Sequence, residues 1–497
     1  MNAYDLLIIG GGINGAGIAR DAAGRGLKVL LVERGDLAGA TSSASTKLIH
    51  GGLRYLEHFE FRLVAEALAE REVLMRAAPH IIWPLEFVLP HEPHLRPGWM
   101  IRTGLWLYDR LGGESKLPRS RAVRLTPAGF GAGLKPEFTR GFVYADGWVD
   151  DARLVALNAR SAADLRADIL TRTEFLSARP DGDGWLAAIR TSAGAHNGGA
   201  QTVSARAIVN AAGPWVKQVL EQRMGQTTRG NLRHVKGSHI VVPRLHQQRH
   251  AFLLQNPDRR IVFVIPYERD FSLIGTTDVP VTARDLDSGI TPQEIAYLCE
   301  AASRYTALPV RPEDVVWSYS GVRPLYDDGS DDPSSVTRDY HFERSEQGPP
   351  VLSVFGGKIT TYRRLAESAL EHLVPVFGAT QPWTRDAPLP GGDFAGKGFD
   401  ALFAELCERH PRLPGLLLAR LARRHGTLAG SVIEGAAAEA DLGRDFGGGL
   451  YEAEARWLIA HEWAREPDDV LWRRTKCGLH MSAAQREAFA GAMKDML

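Results

Sequence analysis

The run Gly10-Gly11-Gly12-Ile13-Asn14-Gly15 has the spacing of a turn that can cradle a pyrophosphate. Gly10 permits the tight turn, Gly12 lets backbone approach the anion, and Gly15 lets a helix pack closely on a strand. Glu33 follows at the distance where an acidic side chain accepts from an adenosine ribose, and its charge would repel a 2′-phosphate. Two histidines could move a proton near neutral pH. His50 stands beside Gly51-Gly52 ahead of Arg54, and His239 follows Lys236-Gly237-Ser238. Arg54, Arg323 and Arg338 are candidates for a bidentate grip on a dianion, each set in a Gly, Pro or short-motif context rather than on a helix face. Any one of 59 basic residues is more simply a surface charge, so spacing alone does not select these three. His91-Glu92-Pro93-His94 is not expected to bind metal, because Pro93 breaks the helix that would align its ligands.

These groups need elements to hold them. Leu6–Ile9 is an apolar run ended by three glycines, Gly15–Ala23 has helical spacing, and Lys28–Val32 is a second apolar run ending at Glu33. Strand, turn, helix and strand in so short a span make a βαβ unit, hence an α/β domain with parallel strands. The spacing predicts a long helix over 55–80, stopped by Pro79, and strands at Ala207–Asn210, Ile240–Val242, Ile261–Ile265, Phe271–Ile274 and Val351–Phe355. Loops are expected to dominate 285–345, with Asp327-Asp328 and Asp331-Asp332 in a solvated acidic loop. After Pro388-Leu389-Pro390-Gly391-Gly392, residues 397–497 have helical texture and are expected to form a separate domain. Trp99–Tyr108, flanked by Arg96, Arg102 and Arg110, reads equally as a helix packed in the core or as one that dips into a lipid interface.

Three later segments favour FAD over NAD. Thr41-Ser42-Ser43-Ala44-Ser45-Thr46-Lys47 supplies hydroxyls and backbone donors where a long extended cofactor would continue. Ile208-Val209-Asn210-Ala211-Ala212-Gly213-Pro214-Trp215 is a strand ending in small residues that leave room beside the backbone. Val354-Phe355-Gly356-Gly357-Lys358-Ile359-Thr360-Thr361 is a strand, Gly turn and helix start, where Lys358 could favour the negative charge of a reduced flavin.

Lys plus Arg and Asp plus Glu are 59 each, a zero balance that disfavours a nucleic-acid binder. Cys299, Cys407 and Cys477 are widely spaced, which fits a reducing compartment and excludes a disulfide scaffold. The first residues lack the pattern of a signal peptide, and no run reaches the length of a spanning helix, so membrane contact is expected to be peripheral.

In this order the motifs closely resemble those of the FAD-dependent glycerol-3-phosphate dehydrogenases of the respiratory type. The resemblance rests on Gly10 to Gly15, Thr41 through Tyr55, Asn210 to Trp215, Lys236 to His239, Gly275-Thr276-Thr277-Asp278 and Ser320-Gly321-Val322-Arg323-Pro324-Leu325. It continues through Thr337-Arg338-Asp339-Tyr340, Phe355 to Lys358, His461-Glu462-Trp463-Ala464 and Trp472 to Lys476. It implies a Rossmann-like, discontinuous FAD-binding domain (1–80, 145–235 and 345–388), an antiparallel-sheet substrate cap (81–144 and 236–344) and a C-terminal helical domain (389–497).

It also implies oxidation of sn-glycerol 3-phosphate to dihydroxyacetone phosphate by hydride transfer to flavin N5. Electrons would pass to a membrane quinone, with the protein held peripherally at the inner face of the cell membrane. FAD would lie along Gly10, Gly12, Asn14, Gly15, Glu33, Thr41, Ser42, Ser43, Ser45, Lys47, Leu48, Ala211, Gly213, Gly357, Lys358 and Thr360. Arg54, Tyr55, His239, Arg323 and Arg338 would hold the substrate. His50 is the preferred base and His239 the second choice, with Arg54, Arg323 and Lys358 completing the catalytic set. An oxidase using oxygen is the alternative within the same chemistry, and a non-catalytic flavin-binding scaffold the alternative from another class. The scaffold would have no need of His50, Arg54 and Arg323. The residues leave open the choice between monomer and homodimer.

Overall fold

Strand Asn2–Ile9 sends Leu6 and Ile8 to one face of its sheet and Leu7 and Ile9 to the other, and all four are buried. A strand covered on both sides reads as a continuous apolar run, as this one does. The computed structural model that shows this describes residues 2–92, 96–192, 199–228, 230–326, 340–345 and 348–497, apart from the side chains of Arg54 and His58. Arg338, His94 and the acidic stretch 327–332 lie outside the described residues.

Five strands run parallel in the order Val351–Phe355, Ala200–Asn210, Asn2–Ile9, Val29–Val32 and Asp168–Leu170. Helices Ile13–Gly24, Asp151–Asp164 and Tyr362–His372 cover one face, with Ala16, Ala19, Leu154, Leu365 and Ala366 against Leu6, Ile8 and Val209. An antiparallel meander of Thr173–Asp181 and Gly184–Thr191 leads into Ala200–Asn210 and closes the other face with Phe175, Trp185 and Ile189.

A second sheet of ten strands is almost wholly antiparallel. One face packs on helix Pro292–Ser303, and the other on helices Phe61–Ala77 and Gly98–Leu111. Within it, Leu232–Pro243 pairs with Trp317–Tyr326 so that Val235 faces Arg323, Gly237 faces Gly321 and His239 faces Tyr319. The short strand Leu48–Ile49, which lies within 1–80, belongs to this second sheet, where it pairs with Arg140–Val149. Helices Phe399–Arg409, Gly415–His425, Glu452–His461 and Ala483–Met496 build the C-terminal unit around two small cores.

Three expectations change. The helix expected over 55–80 is a 3₁₀ turn, Leu53–His58, and then an α-helix, Phe61–Ala77, because Phe59 sits in the left-handed region (φ +60°) and breaks the run. The described residues of 285–345 are not mainly loop. Thr291 caps helix Pro292–Ser303 in a reciprocal box with Glu294, and Trp317–Tyr326 is a full strand. The segment 99–108 is a helix with two characters: Leu105 and Tyr108 are buried, whereas Trp99 and Trp106 are 70% and 50% exposed.

Candidate active site

The opening turn closes as its glycines require. Gly10 has φ +110°, and a Cβ on Gly15 would stand 1.9 Å from the Gly10 carbonyl oxygen. The carboxylate of Glu33 accepts from the amides of Gly11 (2.6 Å) and Gly35 (2.8 Å), while burial pushes its pKa upward. Ser42 Oγ accepts from the Ile13 amide at 2.9 Å, which lays the loop 41–47 across the start of the first helix.

That loop is fixed from beneath. Ser45 Oγ and Lys47 Nζ both donate to Asp151, each at 2.7 Å, and Thr41 Oγ1 donates to the Val322 carbonyl at 2.7 Å. The Lys47 ammonium is buried, and burial pulls its pKa down against the attraction of Asp151.

These walls enclose one cleft of about 1910 Å³. Of the residues expected to contact FAD, Gly10, Gly12, Asn14, Glu33, Thr41, Ser42, Ser43, Ser45, Leu48, Ala211, Gly213, Gly357, Lys358 and Thr360 line it. Gly15 packs beneath the turn, and Lys47 is a strut under the loop; neither reaches the cleft. The cleft suits an extended polar ligand. Asn14 Oδ1 is buried without a hydrogen-bond partner among the described residues, and a Cβ on Gly357 would come within 2.9 Å of Asn14 Nδ2.

At the other end His50, Tyr55, His239, Arg323 and Lys358 line the same cleft. The backbone of His50 is held by Thr360 (3.3 Å), and the Gly51 amide donates to Tyr108 Oη at 2.8 Å. Tyr108 in turn donates to Asp146 (2.8 Å), which also accepts from Arg71 (2.7 Å) and whose pKa burial raises to about 6. Lys358 places its ammonium 4.1 Å from the centre of the Tyr55 ring.

His239 stacks on Tyr319 with ring centroids 4.9 Å apart, and its Nε2 lies 3.0 Å from Thr46 Oγ1. Its Nδ1 is buried without a partner among the described residues. Burial, then the charges of Arg323 and Lys47, hold its pKa well below the usual imidazole value, so the ring is neutral. Its strand is braced by Glu294, which accepts from Ser238 and Thr277 at 2.8 Å and pairs with Lys236 at 2.9 Å. Arg323 pairs with Asp278 and donates to Thr276 Oγ1 at 3.0 Å.

Sequence reasoning did not single out Thr46, Thr276, Asp278 and Tyr319 as site residues. The motifs Thr41 to Tyr55 and Gly275 to Asp278 contain three of them, all but Tyr319. Trp463, Glu466 and Arg473 also line the cleft, from the C-terminal unit; Trp463 and Arg473 lie in the motifs His461 to Ala464 and Trp472 to Lys476, whereas no spacing announced Glu466.

Residues 5–363 match the family model "FAD dependent oxidoreductase", and residues 382–496 match "C-terminal domain of alpha-glycerophosphate oxidase". The chain is 52% identical to the Escherichia coli aerobic glycerol-3-phosphate dehydrogenase, over 98% of this chain and 96% of that one. It is equally 52% identical to the Brucella abortus D-erythritol 1-phosphate dehydrogenase, again over 98% and 96%. A glycerol-3-phosphate dehydrogenase from Bacillus halodurans complexed with FAD shares the fold, with a TM-score of 0.73 at 24% identity over 99% of this chain and 94% of that one. With the fingerprint, the cleft and both family models in one chain, this is a FAD-binding oxidoreductase belonging to the FAD-dependent glycerol-3-phosphate dehydrogenase family.

Proposed function

We propose that the chain oxidises sn-glycerol 3-phosphate to dihydroxyacetone phosphate and passes the electrons to a membrane quinone. The observation that carries this reading is the convergence of His50, His239, Arg323 and Lys358 on the cleft that begins at the glycine turn. FAD, when bound, takes up the two electrons released from the carbinol carbon. The turn residues Gly10, Gly12 and Asn14, with Glu33, the 41–45 loop, Leu48, Ala211, Gly213, Gly357 and Thr360, are the proposed cofactor walls.

Arg323, joined by Arg54 and Arg338, grips the phosphate, and Tyr55 shapes the pocket beside it. A fixed phosphate sets where the carbinol carbon lies, and orientation supplies much of the rate. His50 takes the hydroxyl proton. His239 is the weaker base near neutral pH, because its environment disfavours protonation. Its Nδ1, without a partner among the described residues, suits a hydrogen bond to a substrate hydroxyl instead. Lys358 adds positive charge beside an electron-rich cofactor.

The quinone is the proposed acceptor because Leu89, Leu253, Ile261 and Phe263 give the cleft an apolar side. No described helix is long and apolar enough to cross a membrane. Peripheral contact at the inner face of the cell membrane is proposed instead, through exposed Trp99 and Trp106 with Phe59 and Phe61. Arg96 ties this patch together by pairing with Glu57 at 2.9 Å.

A second substrate, D-erythritol 1-phosphate, is favoured by the Brucella relative at the same 52% identity. Anaerobic mixing of the yellow protein with each phosphate tests both. Glycerol 3-phosphate is expected to bleach the flavin fastest, with colour restored by a quinone analogue. Faster bleaching by the tetritol phosphate would reassign the substrate, and restoration by oxygen alone would reassign the acceptor.

A further inference from the structure

The C-terminal helical unit meets the first domain through buried charge. Arg474 donates to Asp36 from two nitrogens (2.7 and 2.8 Å), and Arg172 Nη2 donates to both oxygens of Asp469 (2.8 and 3.0 Å). Lys476 reaches Asp150 at 3.1 Å, and Arg153 pairs with Glu462. Most of these side chains are nearly sealed from solvent. Removing such ions from water offsets most of their attraction, so a packed apolar seam would serve stability as well. Their placement therefore calls for a positional reason.

Two of the four pairs end on residues that line the FAD cleft, Asp36 and Arg172, and a third ends on Asp150, one residue from a carboxylate beneath it. Asp36 closes the segment that starts at Glu33, and Ala38 N returns to Gly11 O at 3.0 Å. The backbone of Arg172 and Thr173 donates to Gly35 O (2.8 Å) and Glu33 O (2.7 Å). Asp150 precedes Asp151, the carboxylate under Ser45 and Lys47. From the same unit, Glu466 and Arg473 extend into the cleft at its Glu33 end.

We infer that the C-terminal unit is a latch on the Glu33 end of the cofactor cleft: while docked, Asp469, Arg474 and Lys476 fix the backbone that walls in FAD, and loosening the dock lets FAD leave. These three are positioning residues, because they act through Arg172, Asp36 and Asp150. The inference needs FAD but not the identity of the alcohol or of the acceptor.

The test uses full-length holoenzyme carrying Asp469→Asn, which keeps the shape and one oxygen to accept from the amides of Arg465 and Glu466 but removes the charge that faces Arg172 and Arg473. Lys476→Met, which keeps the aliphatic stem, is the second variant. Each is stripped of flavin and titrated with FAD by fluorescence quenching, and FAD loss on dilution is timed. FAD is expected to bind at least ~10-fold more weakly, the size expected for losing a charged hydrogen bond. The KM for the alcohol at saturating FAD should stay within about twofold, and the stripped protein should melt within a few degrees of wild type. If Asp469→Asn fails to fold, Lys476→Met carries the comparison. Wild-type FAD affinity in a folded variant would overturn the latch. So would a rise in KM parallel to the loss of FAD affinity, which marks general loosening.

Discussion

His50 and His239 differ in how they are held, and the tasks proposed for them follow that difference. His239 is locked between Tyr319 and Thr46 in a site that disfavours its charged form. His50 stands on a loop whose backbone is tied down by Thr360. His50→Gln is expected to slow flavin reduction about 100-fold or more with FAD retained, the usual span for a general base. Arg323→Ala should instead weaken substrate binding by roughly 10- to 100-fold, as loss of a charged hydrogen bond does. Stopped-flow reduction traces over a range of substrate concentrations separate the two, and indistinguishable saturation curves for Arg323→Ala would remove it from the phosphate site. At this scale the chemistry was legible where it is written in adjacent residues, as in Gly10 to Gly15. Asp278 was not singled out, since an Arg partner across two strands leaves no mark on local spacing.

Helix Gly98–Leu111 shows what a periodic pattern can and cannot say. Leu105 and Tyr108, three apart, share the face that enters the core, while Trp99 and Trp106, seven apart, share the outer one. The composition of 99–108 suited both core and interface because the helix has one buried and one exposed face. A glutamate at position 106 is expected to reduce binding to anionic vesicles at least ~10-fold while dye-linked activity persists. Co-sedimentation with vesicles measures this, and undiminished pelleting of Trp106→Glu would place the contact elsewhere. Helix Pro292–Ser303 escaped the sequence view even though Thr291, Pro292 and Glu294 spell a helix start. Its neighbours are so rich in turn residues that composition over the longer window outweighed the cap.

For the molecule as a whole, stability should fall on the acid side in two windows. His246 and His250 stack at 4.9 Å in the loop before Ala251–Gln255, buried beside Phe252, and burial, helped by Arg244 for His246 and by His246 for His250, holds both near pKa 4. The unfolded chain titrates near 6.5, so it binds more protons than the folded state between those values. Stability is therefore lost as pH drops from about 6.5 to about 4, by up to ~3 kcal/mol for each ring. Glu454, held at about 2 by Arg424 and His425, adds a loss below pH 4.5. Melting curves across pH 7 to 4 should show the first slope, and the double change His246→Phe/His250→Phe should flatten it; an unchanged slope would point to other groups. The layered α/β plan was readable because parallel strands demand apolar runs. The ion-paired dock of the last hundred residues was not, because partners such as Asp36 and Arg474 are joined only by the fold.

The ladder that sets Val235 against Arg323 and His239 against Tyr319 also constrains how this wall can change over time. One extra residue in either strand would slide the pairing by a step and turn every following side chain to the reverse side. New specificity here must come by exchanging side chains in place, while gain or loss of length is left to the turns at the strand ends.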